Sequence, residues 1–154
     1  RPVNALSHYT DWTVGHVHAG TLGWLAMITF GALYTLVPHL ARRDHMRWPA
    51  AVEWHFWLAI AGTLFYVISM WNAGITQGLM WRTYDDGGSL LYSFIETVIA
   101  MAPYYFLRTL GGAMFLLGGI LCVLNTIATF RHAGLAVHSH DHPITRAPAA
   151  VAAE

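Results

Sequence analysis

The chain contains no lysine; all its basic side chains are arginine, and eight basic residues balance eight acidic ones. Without a basic excess nothing offsets a phosphate backbone, so no nucleic acid is expected as a partner. Charge of either sign is scarce, at 10% of residues, against about 25% in an average soluble domain. A chain that is 56% hydrophobic cannot cover a globule with polar groups, and a bilayer is its expected solvent. The single cysteine, Cys122, excludes an internal disulfide and reads as a small core or lipid-facing residue in an apolar run. Residues 1–12 lack the basic start, apolar run and cleavage site of a signal peptide, and no methionine opens the chain. A piece of a longer chain, or a processed one, is expected.

Long apolar runs are what the chain has in quantity. A bilayer core takes about 20 helical residues to cross, and three segments reach that length. They cover residues 13–37, stopping at Pro38, then 51–73, and 104–130 after Pro103, a residue suited to a first helical turn. The expected fold is all-α: a polytopic membrane protein with three transmembrane helices. Glycines 111, 112, 118 and 119 allow close helix packing in the third. Arg42, Arg43 and Arg47 after the first span, and Arg131 and Arg146 after the third, place the basic loop and tail in the cytoplasm. Residues 1–12 and 74–103 then face outward. Between the second and third spans, residues 89–102 repeat apolar and polar positions with a helical period. They predict a separate short interfacial helix capped by Ser89, either covering something or serving as a plain connector. The chain thus divides into 1–130 and a tail, 131–154, expected to be disordered. The tail run His138-Ser139-His140-Asp141-His142 has the composition of a weak transition-metal binder.

The pair His16-Val17-His18 stands at the outer end of the first span. Histidine is costly within a membrane. On a helix, residues two apart sit about 200° around the axis, so the two rings point to opposite flanks and cannot chelate one metal. They can serve two separate metals or haems. The spacing permits haem ligation and equally permits two unrelated polar contacts. Gly15, Ala19, Gly20 and Gly23 are small neighbours that leave room for flat macrocycles. His8, Trp12 and Arg82 fall on the same outer side and offer donors for anionic propionates; each also fits an ordinary interfacial anchor.

The stretch His8-Tyr9-Thr10-Asp11-Trp12-Thr13-Val14-Gly15-His16-Val17-His18-Ala19-Gly20, with Leu22-Gly23-Trp24, resembles the tenth transmembrane helix of the catalytic subunit of cbb-type (C-family) haem–copper cytochrome c oxidases. Glu53-Trp54-His55-Phe56-Trp57, Met70-Trp71, Gly74 and Gln77-Gly78-Leu79-Met80-Trp81-Arg82 are similar to that family's eleventh helix and its exit. Tyr92-Ser93-Phe94, Glu96-Thr97, Pro103-Tyr104-Tyr105 and Arg108 resemble the segment that follows. The likeness covers about residues 4–130.

This resemblance implies a fragment of a twelve-helix bundle, the C-terminal part of subunit I. It implies two haem b groups, with His16 as axial ligand of the high-spin haem where oxygen is reduced and His18 as axial ligand of the low-spin haem that relays electrons. His8, Trp12 and Arg82 carry over as propionate contacts. The family's copper ligands, its cross-linked tyrosine and the second low-spin axial histidine lie on earlier helices and have no counterpart here, so the isolated fragment is expected to be inactive. The implied partners are the upstream helices of the same subunit, cytochrome c-type subunits, oxygen and membrane lipid, in a bacterial inner membrane. The implied activity is electron transfer from cytochrome c to oxygen, coupled to proton translocation. Two alternatives stand beside it: the catalytic subunit of a nitric oxide reductase, and a non-catalytic membrane scaffold. Glu53, near the cytoplasmic end of the second span, reads as an interfacial residue or a proton inlet.

Overall fold

The computed structural model describes the backbone of residues 2–140 and the side chains of residues 2–131. A short helix α1 (Pro2–Ser7) turns through Tyr9, which adopts a left-handed φ of 64°, into α2 (Asp11–His18). A π-helical segment, Ala19–Ala26, continues α2 into α3 (Met27–Leu40), so Asp11–Leu40 is one unbroken rod. Helix α4 covers Pro49–Met80 and α5 covers Phe94–His140. Three helices, Asp11–Leu40, Pro49–Met80 and Phe94–Arg131, are long and apolar enough to cross a membrane. No strand occurs among the described residues, where the only pairing of that kind is an isolated bridge between Tyr84 and Leu90.

Local chemistry accounts for the helix ends. Thr10 caps α2: its hydroxyl accepts the Trp12 amide at 3.3 Å and donates to the Ser7 carbonyl at 2.6 Å. Helix α4 opens on Pro49, whose missing N–H costs nothing in a first turn. Ser93 and Glu96 form a reciprocal cap on α5. The Ser93 hydroxyl accepts the Glu96 amide at 3.3 Å, and the Glu96 carboxylate accepts the Ser93 amide at 2.7 Å.

That cap corrects the expected short helix at 89–102. Residues 83–93 form a tight turn instead, with the Asp85 amide donating to the Ser89 carbonyl and the Leu91 amide to the Thr83 carbonyl, both at 2.9 Å. Ser89 closes this turn onto the Asp85 carboxylate at 2.8 Å and caps no helix. The remaining residues of the segment are the first turns of α5, which runs straight through Pro103. Pro103 removes one backbone hydrogen bond on an exposed face of the helix, and packing along the rest of α5 outweighs that loss. Likewise Pro38 lies inside the last turn of α3, which ends at Leu40. Helix α5 also continues past residue 130: Ala133, Leu135 and Ala136 favour helix, and no proline intervenes before Pro143. The side chains of the 138–142 run lie outside the described residues.

The helices meet through glycines. A Cβ on Gly62 of α4 would lie 2.7 Å from the Gly111 carbonyl of α5, and one on Gly111 would lie 2.6 Å from that of Gly62, so the two backbones touch. Gly118 faces His55 in the same way, at 3.1 Å, while Gly112 and Gly119 face open space. Met70, Ala73 and Met101 form the buried core between α4 and α5, flanked by Tyr66, Tyr104 and Tyr105. At the other end, Asn125 of α5 accepts the Trp48 amide and donates to the Trp48 carbonyl, both at 2.9 Å, and Thr129 accepts the Arg47 amide at 3.0 Å. Asn125 and Thr129 are fully buried, so this clamp holds the arginine-bearing loop against the helix pair.

Candidate functional site

The histidine pair sits where α2 crosses α4. Gly15 lies between the two histidines' flanks, and its Cβ position would come within 2.9 Å of both Met70 Cβ and the Trp71 ring. One residue on, His16 stacks face to face with Trp12, ring centroids 5.2 Å apart and planes 8° apart. Trp12 in turn stacks on Trp71 at 6.3 Å. His18 meets a different neighbour: its ring lies 4.8 Å from that of Tyr66 on α4. The two imidazoles thus have separate surroundings, with His16 exposed and His18 half-buried.

The His18 ring is fixed by its own helix. Its Nδ1 lies 2.8 Å from the Val14 carbonyl. A carbonyl can only accept, so Nδ1 carries the proton and Nε2 presents a lone pair. A histidine that binds a metal commonly has this arrangement, with the second ring nitrogen donating to a backbone carbonyl. His16 makes no hydrogen bond among the described residues, and the Trp12 stack orients its plane. Both rings fit an axial haem ligand. No cluster of three or more His, Cys, Asp or Glu side chains occurs among the described residues.

Immediately after His18 the rod turns π-helical, a rare conformation that recurs at functional sites. Within it the Thr21 hydroxyl bonds the Val17 carbonyl at 3.2 Å, and Gly20 and Gly23 lower the cost of the wider turn. The segment sets the angular register between the histidine pair and α3. Of the three glycines expected to leave room for a macrocycle, Gly15 is filled by α4, Gly23 faces Thr63 at 3.7 Å, and Gly20 has open space beside it.

A polar knot locks the outer end. The Asp11 amide donates to the Gln77 side-chain carbonyl at 2.8 Å, and the Gln77 amide group donates to the Asp11 carboxylate at 2.9 Å. The Tyr105 hydroxyl donates to the same carboxylate at 2.8 Å, joining α2, α4 and α5 at one atom. Arg108 stacks over Tyr105 at 4.7 Å. The knot is not legible in the sequence because its members lie 66 and 94 positions apart. Of the expected propionate contacts, Trp12 joins the histidine site directly. His8 packs edge-on against Tyr9 at 4.1 Å, and Arg82 is exposed in the turn after α4; neither bonds to the histidine pair.

Residues 1–114 match the family profile described as cytochrome c and quinol oxidase polypeptide I. The chain belongs to that family. Within it, the chain is 56% identical over 129 residues to a cytochrome c oxidase subunit 1 homolog of Agrobacterium tumefaciens, covering 84% of this chain and 24% of that protein. It is 52% identical over 133 residues to the cbb3-type cytochrome c oxidase subunit CcoN1 of Stutzerimonas stutzeri, covering 86% and 28%. Identity falls to 29% over 126 residues with a nitric oxide reductase polypeptide of the same organism, covering 80% and 26%. The chain spans about a quarter of the length of the curated relatives it matches. The three apolar helices and the family make this chain part of a multi-pass membrane protein, and membership in the family implies haem and copper cofactors in general terms.

Proposed function

We propose that this chain is the haem-ligating part of a terminal respiratory oxidase of the cbb type, which passes electrons from cytochrome c to oxygen and couples water formation to proton translocation. The His18 Nδ1 bond to the Val14 carbonyl carries this reading, because it leaves Nε2 as a ligand in a span whose relatives are oxidase subunits. In this reading His16 holds the high-spin haem b and His18 the low-spin one. Trp12, His8 and Arg82 receive propionates, and copper is held by upstream helices of the same polypeptide. When bound, the haems supply one-electron transfer and the iron at which oxygen is reduced.

The chain's own residues prepare for this. Val14 fixes the His18 tautomer and Trp12 sets the plane of the His16 ring. Gly15 and Gly74 let α2 approach α4 closely enough to hold both rings still. The Asp11, Gln77 and Tyr105 knot fixes the outer end of α2 and leaves the part-buried Asp11 carboxylate hydrogen-bonded by two neutral donors. The arginines of the loop at 41–48 support a cytoplasmic position for it at a bacterial inner membrane, with residues 1–12 and 74–103 outside. Cytochrome c-type subunits complete the complex.

The test is made on the full-length polypeptide purified in its complex. His18→Ala removes the low-spin haem absorbance, His16→Ala removes the high-spin haem and its carbon monoxide difference spectrum, and each abolishes oxygen consumption. A purified complex without haem absorbance, or variants that consume oxygen at the parent rate, refutes the reading. Turnover of nitric oxide but not oxygen reassigns the chain to the reductase relative, to which it is 29% identical.

A further inference from the structure

The loop between α3 and α4 carries three arginines, Arg42, Arg43 and Arg47, against one acidic residue, Asp44. Sidedness alone asks only for basic charge near the end of a span, in any conformation. Here the conformation is fixed. At the end of α3 the Arg42 amide donates to the His39 carbonyl at 3.1 Å, and the Arg43 amide to the Pro38 carbonyl at 2.9 Å. This paired closure needs a left-handed residue at its bend, where glycine is the usual choice. Arg42 takes that place, with a φ of 52°. At the far end of the loop, Asn125 and Thr129 of α5 grip the backbone of Trp48 and Arg47. Met46, just before them, is buried.

The loop borders two cavities. One is a cleft of about 570 Å³, with apolar walls from Pro38 of α3 and from Pro49 and Val52 of α4. The other, of about 300 Å³, is more polar, lies within the loop and is lined by Arg42, Arg43 and Arg47. Residues 43–46 line both, so the two spaces adjoin. Arg43 is half-buried, and its Nη1 is sealed from solvent with no hydrogen-bond partner among the described residues. A guanidinium placed this way is costly until an anion supplies the acceptor. The nearby carboxylate does not do so: Asp44 is exposed, and it takes no hydrogen bond from Arg43 Nη1.

We infer that this loop is the headgroup site of one acidic glycerophospholipid, drawn from the leaflet that the loop faces. The lipid phosphate occupies the small polar cavity against Arg42, Arg43 and Arg47. The start of an acyl chain lies along the apolar wall of the cleft, at Pro38, Pro49 and Val52. Phosphate oxygens accept several charge-assisted hydrogen bonds, and the planar fork of arginine matches their spacing. A cationic pocket beside an apolar wall fits an amphiphile, whereas a free phosphate uses only the polar half. Basic pockets at the cytoplasmic ends of membrane helices are a recurring place for such headgroups. The clamp from α5 holds the arginines in position before the lipid arrives, which lowers the ordering cost of binding. The site requires only that the loop lie at a membrane boundary; it does not depend on the reaction carried out at the haems.

The test uses the purified full-length complex, stripped of lipid in detergent. It is titrated with phosphatidylglycerol, phosphatidylcholine or inorganic phosphate, and bound lipid is counted by native mass spectrometry. Phosphatidylglycerol is expected to bind more tightly than phosphatidylcholine, and inorganic phosphate is expected not to displace it. Arg43→Gln should weaken phosphatidylglycerol binding on the order of tenfold, the effect of losing one hydrogen bond to a charged group. Arg42→Gly should weaken it about fivefold, as for one basic residue near an anionic headgroup, while the bend itself is relieved. Arg131→Gln removes the same charge from a residue that lines neither cavity, and should bind as the parent does. Haem absorbance checks the fold of each variant; if Arg43→Gln misfolds, Arg42→Gly decides alone. Equal affinity for the two lipids, or parent affinity in both loop variants, overturns the site; the second result is what another segment of the polypeptide filling the cavities gives. An equal loss in Arg131→Gln reduces the effect to general surface charge and also overturns it. Displacement by inorganic phosphate reassigns the polar cavity to a free anion and overturns the lipid. A complex that binds phosphatidylglycerol as expected but holds no haem supports the lipid site and refutes the oxidase reading.

Discussion

Gly74→Ala is the substitution on which the site geometry depends most directly. A Cβ on Gly74 would lie 2.0 Å from the Trp12 amide nitrogen, 2.5 Å from Trp12 Cβ and 2.6 Å from Trp12 Cα. Ordinary contact begins at 3.4 Å, so α2 must retreat from α4 by about 1.4 Å at this point. All three clashing atoms belong to the backbone or Cβ of Trp12, so no rotamer change relieves them. Overpacking of this kind costs about 1–3 kcal/mol. The functional cost is larger, because Trp12 carries the His16 ring on its face, and a misplacement of about 1 Å near a reacting centre can cost on the order of a hundredfold in rate. The assay is the carbon monoxide difference spectrum and the oxygen consumption of the full-length complex, read beside its thermal unfolding. Gly112→Ala is the matched control: its Cβ meets nothing within 4 Å, and removing a helical glycine is expected to stabilise by up to about 1 kcal/mol. Gly74→Ala with parent spectra, rate and melting temperature would refute the close α2–α4 contact and the dependence of His16 on it.

Two further substitutions test the supports of the site. Asn125→Ala leaves the Trp48 amide unpaired beneath the basic loop, while the Trp48 carbonyl keeps the Ala51 amide, at a cost of about 1–3 kcal/mol for the one unsatisfied group; the expected result is a lower melting temperature and faster protease cleavage within 41–48, and an unchanged cleavage rate rejects the clamp. Ser93→Ala removes the α5 cap and costs about 1 kcal/mol of stability, whereas Ser89→Ala leaves α5 unaffected; the reverse order of melting temperatures returns the helix start to Ser89.

Legibility in the sequence followed the range of the interactions. The spans were readable because a bilayer imposes a length and an apolar composition on each helix separately, and both are properties of contiguous residues. Their ends were less so. Ser89 and Ser93 are both capping residues ahead of apolar runs. Choosing between them required the Glu96 carboxylate to reach back to Ser93, while Asp85 drew Ser89 into a turn. Pro103 looked like a helix start, yet α5 began before it because the rest of the rod packs well enough to offset one missing bond. His16 and His18 were evident from their spacing and their costly position. His55 was visible too, but only as one member of the Glu53–Trp57 motif.

Composition and motif order by themselves determined an all-helical membrane chain, its three crossings and its likeness to the haem–copper oxidases. These depend on solvent preference and on residues close in sequence. Only the folded arrangement decided that the Asp11 carboxylate accepts from two other helices, that Gly15 is filled by α4 and leaves no space for a ligand, and that His55 meets Tyr34 with its second nitrogen left open. Each of these depends on which faces of separate helices meet. That choice is made by close packing at glycines far apart in the chain, which no local pattern encodes.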